Sequence, residues 1–151
     1  MANPKKQRKP CLICGKEPAR SYYKYCSNLC QRKFEYDEIV KKWKAGETSG
    51  LNTIGLVSAA VKKYLRDKYA NKCSICGWNK VNQTTGLVPL VADHIDGDWR
   101  NNREENLRLI CPNCDALLPT FSALNKGKGR TNRTLSKRAK EAKVFLKNRP
   151  K

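Results

Sequence analysis

Apolar side chains recur at helical spacing in three stretches of the chain and at strand spacing in two. Leu29, Tyr36, Val40 and Trp43 fall on one face of a helix from Asn28 to about Ala45, with Lys33, Lys41, Lys42 and Lys44 elsewhere on it. Ser27 stands where an N-cap belongs, and Gly46 followed by Glu47-Thr48-Ser49-Gly50 ends the helix. Val57, Val61, Tyr64 and Leu65 mark the inner face of a second helix, from about Gly55 to Tyr69, with Lys62, Lys63 and Arg66 outside. A third, after Thr134, has Leu135, Ala139, Ala142 and Leu146 on one face and Lys137, Arg138, Lys140, Lys143 and Lys147 on the others. Strand signals lie between the second and third helices. Leu87 to Ala92, after a turn at 82–86, reads as an edge strand, because Pro89 has no N–H for a ladder. Asn106 to Ile110 reads as its partner, with Leu107 and Leu109 on one face, and Pro112 suits the first position of a following helix. The predicted class is small α+β.

The eight cysteines change this picture most. Cys11 and Cys14 form a CLICG turn, and Cys26 and Cys30 follow after eleven intervening residues. CSICG at 73–77 repeats the turn with Cys73 and Cys76, and Cys111 and Cys114 lie beyond thirty-four residues. Each set has four thiolates on short turns, enough to close a tetrahedral zinc site with no open position. Disulfides and reduced core cysteines fit the close pairing less well. Two structural zinc ions are expected, and metal binding would offset the entropy of closing the long second loop. Tyr22, Tyr23 and Tyr25 either cover the first site or stack on bases.

With 151 residues and 39% apolar content, the chain has little core to spare, and its net charge is +19. Residues 1–44 hold 12 basic and 4 acidic side chains, residues 126–151 hold 11 and 1, and residues 45–125 hold 9 and 8. Basic ends around a balanced middle suit a nucleic-acid backbone better than a mixed solubilising surface. No run of residues is apolar enough for a membrane span, and the N-terminus has no signal core, so a cytoplasmic protein without a membrane partner is expected.

Candidate chemistry is concentrated at 93–99, in Asp93-His94-Ile95-Asp96-Gly97-Asp98-Trp99, where His94 is the only histidine of the chain. Asp93 and His94 point to opposite sides at the end of the first strand, and Asp115 lies in the first turn of the helix after Cys111, facing back. Asp93 and Asp115 can share a hard divalent cation, magnesium or manganese, while water and phosphate fill its other positions. His94 can take a proton from an attacking water. Asn106 has no proton to give, but its amide can pin the histidine-bearing loop. Asp96, Asp98, Asn101 and Asn102 read as turn residues. Trp99 is either loop packing or a wedge against DNA.

Asp93-His94-Ile95-Asp96-Gly97-Asp98, Glu105-Asn106-Leu107-Arg108-Leu109 and Cys111-Pro112-Asn113-Cys114 together resemble the HNH endonucleases of ββα-metal fold, especially small phage-encoded members with zinc knuckles. The likeness covers about residues 73–129, more loosely 11–72. It implies Asp93 as a metal ligand, His94 as general base and Asn106 as the residue that orients the base. Asp115 departs from the family, which has a histidine ligand there; a carboxylate suits magnesium or manganese better than zinc. The expected organisation is a basic arm (1–10), a zinc module with its helix (11–46), a linker and amphipathic helix (47–72), the zinc-clamped ββα nuclease core (73–130) and a basic C-terminal helix (131–151). Double-stranded DNA is the expected partner. Arg100, Arg103, Lys126 and Lys128 would meet its phosphates beside the core, as would Arg130, Arg133, Lys137 and Arg138 beyond it. One such core cuts one strand, so a monomer would nick, in the host cytoplasm if the chain is phage-encoded. The alternatives are a zinc-knuckle DNA-binding protein without catalysis, a nuclease that works only with a partner protein, as in phage DNA packaging, and RNA binding.

Overall fold

The computed structural model describes residues 7–128. The third amphipathic helix expected after Thr134, with Arg130, Arg133, Lys137 and Arg138, lies outside them. So do the first six residues of the N-terminal arm. The described chain is a small α+β structure with two four-cysteine clusters that could hold metal ions.

Helix α1 spans Asn28–Lys44. The Ser27 hydroxyl accepts the Cys30 backbone N–H at 3.3 Å, the N-cap its position predicts. Trp43 is buried and Val40 packs beside it, but Leu29, expected on the same face, is 78% exposed. Helix α2 spans Ala59–Lys68 and starts about one turn later than the apolar spacing suggests. Ser58 caps it through Val61 N–H, and Val57 is buried from a bridge with Leu51 rather than from the helix.

Strands β1 (Val91–His94) and β2 (Leu107–Ile110) form an antiparallel pair, with Val91 opposite Ile110, Asp93 opposite Arg108 and His94 opposite Leu107. The first strand begins four residues after its predicted start at Leu87. Pro89 lies inside a tight turn closed by Leu90 N–H on Val88 C=O at 2.9 Å, so the ladder forms only beyond it. Asn106 ends a single 3-10 turn (Glu104–Asn106) that leads into β2. Helix α3 (Pro112–Ala116) follows, with proline in its first turn.

Residues directly opposite each other in the hairpin share a face. Ala92, His94, Leu107 and Leu109 therefore face one way, and Val91, Asp93, Arg108 and Ile110 the other. The first face closes the main core with Trp43, Val57, Val61 and Leu65. The second meets a smaller cluster of Cys73, Ile110 and Cys111, with Trp78, Leu90, Cys114 and Leu118 around it.

Glu104 ties the helices to the hairpin. Its carboxylate receives Lys68 at 2.8 Å, Lys44 at 3.1 Å and the Tyr64 hydroxyl. Burial alone would raise its pKa, but these three donors hold it down at about 2.

Candidate active site and metal clusters

Both cysteine clusters close as their spacing predicts. All eight thiols are free, and within each set the sulfurs lie within 4.8 Å of one another. The sulfur–sulfur distances include Cys14–Cys26 at 3.3 Å, Cys26–Cys30 at 3.6 Å, Cys14–Cys30 at 3.7 Å and Cys76–Cys111 at 3.7 Å. These are too long for disulfides, whereas zinc bound at about 2.3 Å from each sulfur would set them about 3.8 Å apart. The donor set and spacing fit zinc. Each CxxCG turn is held by the glycine N–H on the first cysteine C=O, Gly15 to Cys11 at 3.0 Å and Gly77 to Cys73 at 2.9 Å. Both glycines have φ above +70°, where a side chain would be strained.

Backbone N–H groups aimed into the turns act on the thiols. Burial pushes Cys11 and Cys73 up, but N–H groups of Cys14, Ile13 and Cys26 in one site, and of Cys76, Cys111 and Ile75 in the other, bring both down to about 6. Hydrogen bonding with Cys14 and Cys30 pushes Cys26 up to about 12, and Cys76 does the same to Cys114. One thiolate forms readily in each set, and its neighbours resist ionising beside it until a cation balances them.

The cleft beside the hairpin has a volume of about 890 Å³ and is lined by Asp93, His94 and Asp115, with Lys62 and Arg66 of α2 at its wall. Asp115 lies in the first turn of α3 and feels Asp93. Burial raises its pKa most, and the Asp93 charge adds to that. Both carboxylates line the same cleft. Among the described residues, only the cysteine sets gather three or more metal-ligating side chains, so a cation between Asp93 and Asp115 would have two protein ligands.

Arg108 is the residue that sequence reasoning missed beside Asp93. Its Nε donates to Asp93 Oδ2 at 2.7 Å, and both side chains are largely buried. A signal was present: with Leu107 and Leu109 turned inward, Arg108 must face outward, and only the hairpin register was lacking to set it opposite Asp93. The guanidinium thus shares the Asp93 carboxylate with any cation that would bind there.

The asparagines divide differently from expectation. Asn106 is buried and does not reach the imidazole. Its Nδ2 donates to Asp96 Oδ1 at 2.9 Å and to Asn101 C=O at 2.7 Å, and its Oδ1 accepts Asp96 N–H at 3.1 Å. It pins the loop, as its amide suggests. The side chain on His94 is that of Asn102, whose Oδ1 lies 2.9 Å from Nε2. Asp96 and Asp98 accept N–H groups within their own loop, as turn residues do. Burial raises the Asp96 pKa, but bonds from Asn101 and Asn106 overcome this and lower it.

Of the expected phosphate contacts, Arg100, Arg103, Lys126 and Lys128 are exposed. The Arg100 guanidinium lies 5.3 Å from the Trp99 ring, and Lys128 reaches Asp96 C=O beside the cleft at 3.3 Å. Tyr25 packs on Phe34, while Tyr22 and Tyr23 stay exposed. No helix among the described residues is long and apolar enough to cross a membrane.

No family model matches the chain, and no solved structure does. A stretch of 66 residues, 44% of the chain, is 41% identical to the H-N-H endonuclease F-TflIV of Escherichia phage T5. The matched stretch spans 28% of that protein's length.

Proposed function

We propose that the chain is a metal-dependent DNA endonuclease of the HNH type, hydrolysing phosphodiester bonds in a ββα-metal core. The observation that carries this reading is the convergence of Asp93, His94 and Asp115, from β1 and α3, on one cleft with basic walls. The partial likeness to a phage H-N-H endonuclease supports it. Zinc in the two cysteine sets holds the frame, and double-stranded DNA is the substrate.

His94 takes a proton from water as it attacks phosphorus, the P–O bond opposite breaks, and the departing sugar oxygen takes a proton from solvent, while Asn106 keeps the loop around His94 in place. Asp93 and Asp115 would hold magnesium or manganese, which would supply Lewis-acid stabilisation of the charge that builds on the phosphate oxygens. Lys62 and Arg66 lie where they attract the phosphate backbone, and the exposed Arg100, Arg103, Lys126 and Lys128 extend that surface. A monomer nicks one strand.

One observation favours a second reading. The Arg108–Asp93 pair already balances the charge that a cation would balance, which suits a DNA-binding module without catalysis, or a nuclease completed by a partner protein. Supercoiled plasmid separates these readings. The zinc-loaded protein with magnesium or manganese is expected to yield nicked circles, and His94→Ala to lose at least about 100-fold in rate while still retarding DNA. Retardation by both proteins with nicking by neither would leave the binding module standing.

A further inference from the structure

We propose that Asn102, anchored by Trp43 of α1, is the positioning residue that sets the tautomer of His94 and leaves Nδ1 as its basic nitrogen. The catalytic meaning of this rests on the nuclease reading; the tautomer itself does not.

Asn102 is 5% exposed, and all its polar atoms have partners. Its Nδ2 donates to Trp99 C=O and Arg100 C=O, each at 3.1 Å. Two carbonyls on one side of the amide require the nitrogen there and the oxygen on the other side. That oxygen, which only accepts, lies 2.9 Å from His94 Nε2. Nε2 must therefore donate, and in a neutral imidazole the lone pair is left on Nδ1.

The amide is held from the other end as well. Trp43 Nε1 donates to Asn102 C=O at 2.7 Å in a buried bond that crosses from the end of α1 to the catalytic loop. The indole packs closely on its neighbours. A Cβ on Gly50 would stand 2.6 Å from Trp43 Cδ1, and the Tyr64 ring lies edge-on with its centroid 5.4 Å away. Since α1 begins inside the first cysteine cluster, the N-terminal module reaches the base through one helix, one indole and one amide. Asn106, which the resemblance to HNH endonucleases implies as the residue that orients the base, spends its amide on Asp96 and Asn101 instead.

Because His94 is the only histidine, a long-range 1H–15N spectrum of the labelled, zinc-loaded protein contains one imidazole. At a pH where that ring is neutral, the expected pattern is protonated Nε2 with unprotonated Nδ1. Asn102→Ala should give a mixture of tautomers, and Trp43→Phe a partial shift toward it. On nicking, Asn102→Ala should lower kcat roughly 10- to 100-fold and leave KM for DNA within about twofold. A wild-type ring protonated on Nδ1 overturns the proposal even where no variant folds, and so does an unchanged spectrum in Asn102→Ala. If the wild type does not nick but has the predicted tautomer, the nuclease reading falls and the positioning of His94 stands.

Discussion

The two cysteine modules begin with nearly the same five residues and end in different circumstances. CLICG closes with Cys26 and Cys30 inside a short segment whose apolar residues are largely on the outside: Leu12, Tyr22, Tyr23 and Leu29 are all exposed. CSICG closes with Cys111 and Cys114 across a long insert and packs on its own apolar cluster around Ile110. Ser74 N–H also bonds Leu109 C=O at 2.8 Å, sewing that knuckle to β2. The same turn thus closes beside few buried apolar neighbours in one module and on an apolar cluster in the other. The first should fold only with its metal, and the second should hold the site.

Removing one thiol from each module is the strongest way to break this contrast. Cys111 is buried, caps α3 by accepting Cys114 N–H, and precedes Asp115 by four residues. Cys111→Ser is expected to cost on the order of 4 kcal/mol or more and to abolish nicking. Cys14→Ser should release the first module and leave slow amide exchange in β1 and β2. Hydrogen exchange on both variants checks this, and equal loss of protection everywhere would mean that the modules fold as one unit.

A smaller effect is expected where the modules are joined. Glu104 gathers Lys44 from α1 and Lys68 and Tyr64 from α2 just before β2. Its folded pKa, about 2, lies below the ordinary 4.5. The stabilisation is therefore complete above about 4.5 and fades as pH falls from there toward 2. Glu104→Gln should cost about 1–2 kcal/mol at pH 7, discounted because the side chain is partly exposed. Urea unfolding of the two proteins between pH 7 and pH 4 should show a gap that is flat down to about 5 and begins to narrow below it.

What the sequence made legible follows from how local each signal is. Ser27, Gly46, Pro112 and the CxxCG turns act on backbone within a few residues, so their effects could be read from the chain alone. Leu107 and Leu109 were legible because period two leaves no other inner face. Leu29 was misplaced because helical spacing says which residues share a face, not where that face first meets a neighbour. Pro89 stays out of the ladder because the turn it makes delays the strand, not because it marks an edge. Glu104, Arg108 and Asn102 were missed as site or hub residues because each is defined by partners far off in sequence. The Trp43 bond to Asn102 spans fifty-nine positions, and no local pattern signals it.

The proposed role of Asp115, brought to the cleft of Asp93 by α3, is to help hold a divalent cation for cleavage. Nicking of supercoiled plasmid in magnesium or manganese by Asp115→Ala and Asp115→His, both loaded with zinc, tests it most directly. The account predicts a loss of at least about 100-fold for Asp115→Ala and activity within about tenfold of wild type for Asp115→His, since imidazole and carboxylate can both serve as the ligand. Wild-type nicking by Asp115→Ala would contradict it.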